Sequence, residues 1–562
     1  MTKKLFCISV IFIWPLCHSS LYAQQLRWQW AVQAKGSADN HIGGTACDTA
    51  QNIYLAGNFS DSIRFDSFSL TSNGGEDIFL LKLNPEGKVL WAKSAGGIND
   101  DYPTAMAVSP AGMLYTVGLH GKNATFDNRQ TGEKTYNLFI SLHTAAGELK
   151  WIKSFAAKRS DYITSITIDS IGNLYFGGYF EKQLRLDEQH VIKANAASDA
   201  FVACLDSLGN VMWVRQWGGI GNDRISALHV HDSILWVAGH CSAPMKIETT
   251  TLSPRHDEQN AVFTVRCSLS GETTQVYSNL SGMAVTADCI IGLKDGKSII
   301  AGNFSDSLFF DHTVFESHGN RDMFIAAFDS IGGLLWQKQI GSAAYDNLFD
   351  IVYHPWGYII ATGLYSAPLI FDQDTIGLSN NYCDVFAASY DEEGHLQEIN
   401  IMDGKSEEFP QALAHDKEGH VYIAGLFRDT TTLRHSVLTS SGTEEIFLAK
   451  LYHCNKNKIT FACDTVFFEG KELALETEGK YAAYDWEQGI STEATYIVTC
   501  SKIYQLRVED SLHCVYRDSV TVRQIPVAPK VQIRAELMRS RIPDIPQATY
   551  YLASRKPEDE SI

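Results

Sequence analysis

Seven times along the chain a short apolar strand runs into a glycine, and the glycines are almost evenly spaced. The strand reads Ile53-Tyr54-Leu55-Ala56-Gly57, and it recurs ending at Gly118, Gly178, Gly239, Gly302, Gly363 and Gly425, with steps of 61, 60, 61, 63, 61 and 62 residues. Such a period means one supersecondary unit repeated against copies of itself. Any fold for this chain must bury seven equivalent units.

Three more anchors keep the same step. Eight residues after each glycine stands a large apolar residue: Phe65, Phe126, Leu186, Ile247, Phe310, Phe371 and Leu433. A Phe-bearing strand follows at Phe79, Phe139, Phe201, Phe263, Phe324, Phe386 and Phe447. A Trp strand falls at Trp28, Trp91, Trp151, Trp213 and Trp336, with Tyr277 and Gln397 in the same place in two weaker copies. Between the Phe and Trp strands lie turns such as Asn84-Pro85-Glu86-Gly87 and Asp329-Ser330-Ile331-Gly332, and a second turn such as Asp169-Ser170-Ile171-Gly172 precedes the glycine-ended strand. Asp or Asn opens such a turn and Gly takes its left-handed position, as short β-hairpins require.

Each unit thus holds at least four short antiparallel strands with no helical periodicity. The expected fold is all-β: a seven-bladed β-propeller of four-stranded blades over residues 24–452, with an open β-solenoid as the competing architecture. The chain ends of the repeat favour the ring. A Trp strand, Leu26-Arg27-Trp28-Gln29-Trp30, precedes the first Phe strand, and the last repeat stops on Ile446 to Leu451 with no Trp strand after it. Pairing these two would remove both exposed sheet edges. The repeated position of the Trp residues assigns them to packing between blades rather than to stacking on sugar rings.

The unit, as in Gly172-Asn173-Leu174-Tyr175-Phe176-Gly177-Gly178 and Asp199-Ala200-Phe201 through Asp206-Ser207-Leu208-Gly209-Asn210-Val211-Met212-Trp213, resembles the SBBP-type β-propeller repeat. That resemblance implies an exported protein of Bacteroidetes-like bacteria and brings no catalytic residues with it. The fourth unit departs most, with Gly239-His240-Cys241 in place of Gly-x-Phe.

After Cys454 the period breaks. Residues 455–525 carry short alternating strands around Trp486 and Tyr504, which reads as a small β-sandwich. The segments Tyr484-Asp485-Trp486 and Tyr504 to Cys514 make it similar to Ig-like or PKD-like modules. Residues 526–562 read as a tail or linker. Of twelve cysteines, Cys454, Cys463, Cys500 and Cys514 crowd this module, and a Cys463–Cys514 disulfide is the expected pairing. The cysteines of the repeats hold unmatched positions and are expected to be buried free thiols.

At the other end Lys3 and Lys4 precede an apolar run from Leu5 to Leu16 and a polar stretch ending at Ala23. This is the order of a secretory signal over residues 1–23, too short for a membrane-spanning helix. Export to the cell surface or beyond is expected, with the periplasm as the alternative, and no integral membrane segment. Against 46 Lys+Arg the chain sets 65 Asp+Glu, a net charge of −19, which excludes a phosphate-backbone binder and hence nucleic acid.

Candidate chemistry is sparse. The residue after the eight-residue anchor is acidic in six units, Asp66, Asp127, Asp187, Glu248, Asp311 and Asp372, with Arg434 in the seventh. A ring of carboxylates could hold Ca²⁺; a repeated turn or strand-end hydrogen bond is the plainer reading. No other cofactor is expected. A second acidic position, Asp39, Asp101, Asp161, Asp223, Asp346 and Glu408, reads as loop capping. His229 and His231 share one strand face and could chelate a metal, although nothing nearby completes a ligand set. Gly292 to Ser298 is one residue short of a phosphate loop and precedes a strand, where that chemistry needs a helix. The expected protein is therefore a monomeric, non-catalytic binding protein presenting loops to a protein or glycan. A polysaccharide hydrolase or lyase using the propeller mouth, and a structural spacer, are the alternatives.

Overall fold

The computed structural model describes residues 26–525 apart from 37–39, 133–135, 257–258, 311, 372–373, 377–381, 403, 434–435, 442, 454–464, 469–471, 477–479, 488 and 511–513. The segments 1–23 and 526–562, with Asp39, Asp311, Asp372, Arg434, Cys454 and Cys463, lie outside the described residues. The chain is all-β and propeller-like, and among the described residues no helix is long and apolar enough to cross a membrane.

The first unit sets the pattern. His41–Cys47, Ile53–Phe59, Asp77–Leu83 and Val89–Gly96 pair antiparallel in chain order. Gly57 lies directly across from Phe79, and the same Gly–Phe pairing recurs at Gly118–Phe139, Gly178–Phe201, Gly239–Phe263, Gly302–Phe324, Gly363–Phe386 and Gly425–Phe447. A Cβ on Gly57 would lie 2.5 Å from the Phe79 ring, so only glycine admits the ring over the strand. The eight-residue anchor covers the other side: Phe65 packs 5.0 Å from Phe79, Phe126 5.1 Å from Phe139 and Phe371 5.8 Å from Phe386. Three periodic sequence signals are therefore one packed cluster per unit.

That anchor sits in an extra hairpin that reaches the unit before it. Thr125–Phe126 of the second unit pairs with the outer strand Val89–Gly96 of the first. Met245–Ile247 does the same to Val211–Gly219, and Leu369–Phe371 to Leu334–Gly341. Ser62–Phe65 of the first unit pairs with Lys35–Gly36, which directly follows Leu26–Gln33. The strand Leu26–Gln33 itself pairs antiparallel with Glu445–His453 of the last repeat. Each inner strand also touches the next, and the last, Glu408–His415, touches the first, His41–Cys47. Thr273–Gly292 serves two units, pairing with Gln259–Ser268 at its start and with Ser298–Phe309 further on.

The Trp strand staples neighbouring units. Trp91 Nε1 donates to the Ala145 carbonyl at 3.2 Å, Trp151 to Ser207 at 3.3 Å, Trp213 to Leu269 at 3.1 Å and Trp336 to Glu392 at 2.8 Å. Every acceptor lies in the hairpin of the following unit, whose glycine packs on the indole. Tyr277, the weaker copy, makes the same reach with its hydroxyl to Ser330 O at 3.1 Å. In the N-terminal strand the stapling residue is Trp30, not the expected Trp28. A bulge separates the two, Trp30 pairs with Lys450 as Trp91 pairs with Lys82, and a Cβ on Gly87 would stand 3.2 Å from the Trp30 ring. Trp28 packs instead in the core against Ile360 and Val385.

Beyond the repeats, Thr465–Phe468, Val515–Ile525, Lys502–Glu509 and Ala483–Trp486 form one sheet, and Leu473–Leu475 with Tyr496–Val498 a second. Trp486, fully buried, stacks on Tyr496 at 5.3 Å and donates to the Glu493 carbonyl at 3.0 Å. Cys514 is disulfide-bonded while Cys500 is free and exposed; the expected partner Cys463 is outside the described residues. The described cysteines of the repeats are all free, Cys204, Cys241, Cys267 and Cys289 buried and Cys47 and Cys383 partly so.

Candidate functional site

The first strands of the units, His41–Cys47, Tyr102–Val108, Tyr162–Ile168, Asp223–His231, the end of Thr273–Gly292, Asn347–His354 and Glu408–His415, line a common channel of about 660 Å³. Its wall mixes short polar and small residues such as Gly43, Thr104, Thr164 and Ser165 with larger ones such as Met106, Phe349 and Tyr353. Most of those polar groups reach sideways to the neighbouring strand. Thr104 Oγ1 donates to Ile163 O at 2.5 Å and Thr164 Oγ1 to Ile225 O at 2.6 Å. Ser165 Oγ and Thr167 Oγ1 accept from Leu228 N at 3.0 Å and Val230 N at 3.3 Å. Gln411 Oε1 accepts from Ile42 N at 2.7 Å. Asp350 Oδ2 accepts from Leu413 N at 3.1 Å. These bonds supply partners that the inner strands, hydrogen-bonded on one edge only, would otherwise lack.

His229 and His231 face the channel with rings stacked 6.0 Å apart. The Gly292 N–H donates to His229 Nδ1 at 2.8 Å, which places the ring proton on Nε2. Neither nitrogen of His229 then offers a free lone pair, so the pair is not built to chelate a metal. Burial, with His231 and His415 adding, pushes His229 down to about 4. His415, whose Nδ1 meets the Asp416 carbonyl at 3.2 Å, is likewise lowered by burial.

Two carboxylates line the same wall. Asp350 is raised to about 7 by burial in spite of bonds from Leu413 N and Ile351 N. Asp288, held by Thr286 Oγ1 at 2.8 Å and Asn303 Nδ2 at 2.6 Å, is raised by burial. Neither could be foreseen from the period, because neither recurs in the other units.

The four described candidate Ca²⁺ carboxylates, Asp66, Asp127, Asp187 and Glu248, stand apart in separate units. Asp66, Asp127 and Glu248 stand in the turns of separate extra hairpins with φ of 51°, 50° and 52°. Asp127 takes Lys93 Nζ at 2.8 Å and Leu149 N at 3.0 Å. Asp187 takes His190 N at 2.7 Å and faces the His190 ring. No group of three metal-ligating side chains occurs among the described residues. Members of the second acidic set cap loops: Asp101 accepts from Gly97 N and Gly121 N, both at 2.7 Å, and Asp161 from Lys158 N at 2.7 Å and Glu181 N at 2.8 Å.

The chain is similar to an uncharacterized WD repeat-containing protein of Acanthamoeba polyphaga mimivirus, 25% identical over 27% of this chain and 12% of that protein. It is also similar to the regulatory protein FlaEY of Caulobacter vibrioides, 21% identical over 45% of this chain and 29% of that one. It thus spans less than a third of the length of either relative. Among solved structures, puromycin hydrolase aligns over 78% of this chain and 59% of its own at 10% identity, with a TM-score of 0.40. No protein-family model matches the chain.

Proposed function

We propose that this is an exported, non-catalytic binding protein of the SBBP-like propeller type, built as seven blades closed by the N-terminal strand and followed by an Ig-like module. The ligand class is a protein or glycan held at a mouth of the channel. Support for the ring comes from the pairing of Leu26–Gln33 with Glu445–His453 and from the contact between the first and last inner strands. The observation that carries the non-catalytic reading is the use of the channel's polar side chains. Thr104, Thr164, Ser165, Thr167, His229 and Gln411 are engaged with backbone groups of the next inner strand, which makes a rigid wall rather than reactive groups awaiting a substrate.

The enzyme alternative has one observation in its favour: Asp350 and Asp288 on one channel wall, both raised by burial, are the kind of carboxyl pair that acid–base chemistry uses. Both readings are tested by presenting the protein from residue 24 onward to a panel of glycans and cell-envelope extracts, with turnover assayed in the same wells. Retention without product is expected. Product release that is lost in Asp350→Asn would establish the enzyme instead.

A further inference from the structure

Two residues before the Phe of the third strand, the first and third units bury a carboxylate. Asp77 and Asp199 have no solvent exposure. One oxygen of each is well served: Asp77 Oδ2 accepts from Asn73 N at 3.1 Å and Nδ2 at 3.0 Å, and Asp199 Oδ2 from Asn195 Nδ2 at 2.7 Å and Gln216 Nε2 at 2.6 Å. The other oxygen, Oδ1, meets no donor in either residue.

Across the junction to the next unit stand the loop-capping aspartates, Asp101 and Asp223, equally buried. The backbones are tied at this point, Asp101 N donating to Glu76 O at 2.7 Å and Ser198 bridging Asn222. A Cβ placed on Gly96 would lie 2.5 Å from Asp77 Oδ1 and 3.0 Å from Asp101 Oδ2, so the two oxygens look into the same small space. At the second junction Asp223 Oδ2 accepts from Gly219 N at 2.7 Å, and its Oδ1 meets no donor, like that of Asp199. Near the first pair stand Glu76 and Asp100, both acidic, and the buried His120, whose Nδ1 meets the Gly121 carbonyl and whose pKa is lowered by burial. Beside the second, Arg224 is turned onto the Tyr179 ring at 4.4 Å, and the neighbouring Cys241 is a buried thiol.

Two ionised carboxylates facing each other without water or a cation are too costly to bury. We propose that Asp77 and Asp199 are carried as neutral carboxylic acids in the folded protein, each donating its Oδ1 proton to the facing aspartate, Asp101 or Asp223. The sequence contains its own control. At the junction of the second and third units Asn137 stands at the repeat position of Asp77 and Asp199, two residues before the Phe of its strand, and an amide has the shape and donor of a protonated acid. At the junction of the fifth and sixth units Asp322 faces Asp346, and there His318 Nδ1 lies 2.7 Å from Asp322, a group able to bring its own proton.

Burial, reinforced for the capping residues by the facing carboxylate, raises Asp77 to about 6 and Asp101 and Asp223 to about 7. The folded chain then holds protons that the unfolded chain releases, so stability falls as pH rises through 6 to 7. The junctions act as acid-tightened clasps between neighbouring units.

The test compares the full chain with the double variant Asp77→Asn, Asp199→Asn by thermal melting between pH 6.0 and 8.5. Buried histidines are common to both proteins and cancel in the difference. The variant is expected to show a smaller fall in midpoint over this range than the wild type, Asp346 and Asp350 supplying what remains, and to match or exceed the wild-type midpoint at pH 8.5. An unchanged slope, or a lower variant midpoint at pH 8.5, would overturn the proposal. So would Ca²⁺ raising the wild-type midpoint at pH 8.5 as far as acidification does, since the junction would then be a cation site. The infrared spectrum of the wild-type protein supplies a readout independent of variant folding: no protonated-carboxyl band at pH 6.0 also overturns it.

Discussion

The Trp336 indole N–H donates to the Glu392 carbonyl at 2.8 Å, joining the outer strand of one unit to the hairpin of the next. The same bond recurs from Trp91, Trp151 and Trp213, so stability in this fold is distributed over repeated seams as much as over seven cores.

Replacing Trp336 by Phe removes the donor while keeping most of the ring, and should cost about 1 kcal/mol. Trp336→Ala also opens the seam against Gly394 and should cost about 3 kcal/mol. Urea denaturation of both variants checks the order. Equal losses would mean that the bond contributes nothing beyond packing.

At Gly57 the second strand has no room for a side chain, because Phe79 covers it on one face and the His41 carbonyl crowds it as well. Gly57→Ala should destabilise by about 1–3 kcal/mol or prevent folding. Gly57→Ala combined with Phe79→Leu should recover part of the loss, read as soluble yield and melting midpoint.

His354 is buried, bonded through Nε2 to the Gly419 carbonyl at 2.8 Å, and pushed down to about 4 by burial. It stays neutral where the unfolded chain would protonate near the ordinary value of about 6.5. The unfolded state therefore binds more protons between pH 6.5 and 4, and stability falls as pH drops through that window. In chemical denaturation at pH 6.5, 5.5 and 4.5, His354→Gln should reduce that slope by up to about 1.4 kcal/mol per pH unit. A slope that does not change would show that His354 is free to charge in the folded protein.

In the C-terminal module Cys514 is in a disulfide and Cys500 is an exposed free thiol. Mild reduction should cost the module about 2–4 kcal/mol and leave the repeats intact. A thiol reagent applied to the native, unreduced protein should label Cys500 first. Cys204, Cys241 and Cys267, each raised to about 12 by burial, should react only on unfolding. Peptide mapping of the labelled sites decides both points.

Much of the fold could be read from spacing, since Gly57, Phe65 and Phe79 each recur with the period and prove to be one cluster. What the period concealed was local. Trp28 and Trp30 lie on either side of a bulge, and two Trp residues so close together could both answer to the period, whereas only Trp30 takes the staple's place. Gln397 looked like a decayed Trp, yet its unit faces the one place where the third and outer strands come from distant parts of the chain. With no hairpin there, an indole would have nothing to dock on. Asp350 and Asp288 were invisible because a single-copy residue leaves no periodic trace, and only the convergence of inner strands puts them on one wall.

The antiparallel pair formed by Leu26–Gln33 and Glu445–His453 also sets an order of events during synthesis. Hydrogen bonds such as Ala31 N to Ser436 Oγ and Gln33 Nε2 to Glu445 Oε2 join residues 405 and 412 positions apart. Loop closure over such a separation is slow, and every intervening unit must be made before it can occur. The earliest of the described strands to leave the ribosome is thus among the last to find its partner. Until then the Trp-rich segment Leu26–Gln33 is an open edge, the place where another chain could pair by mistake.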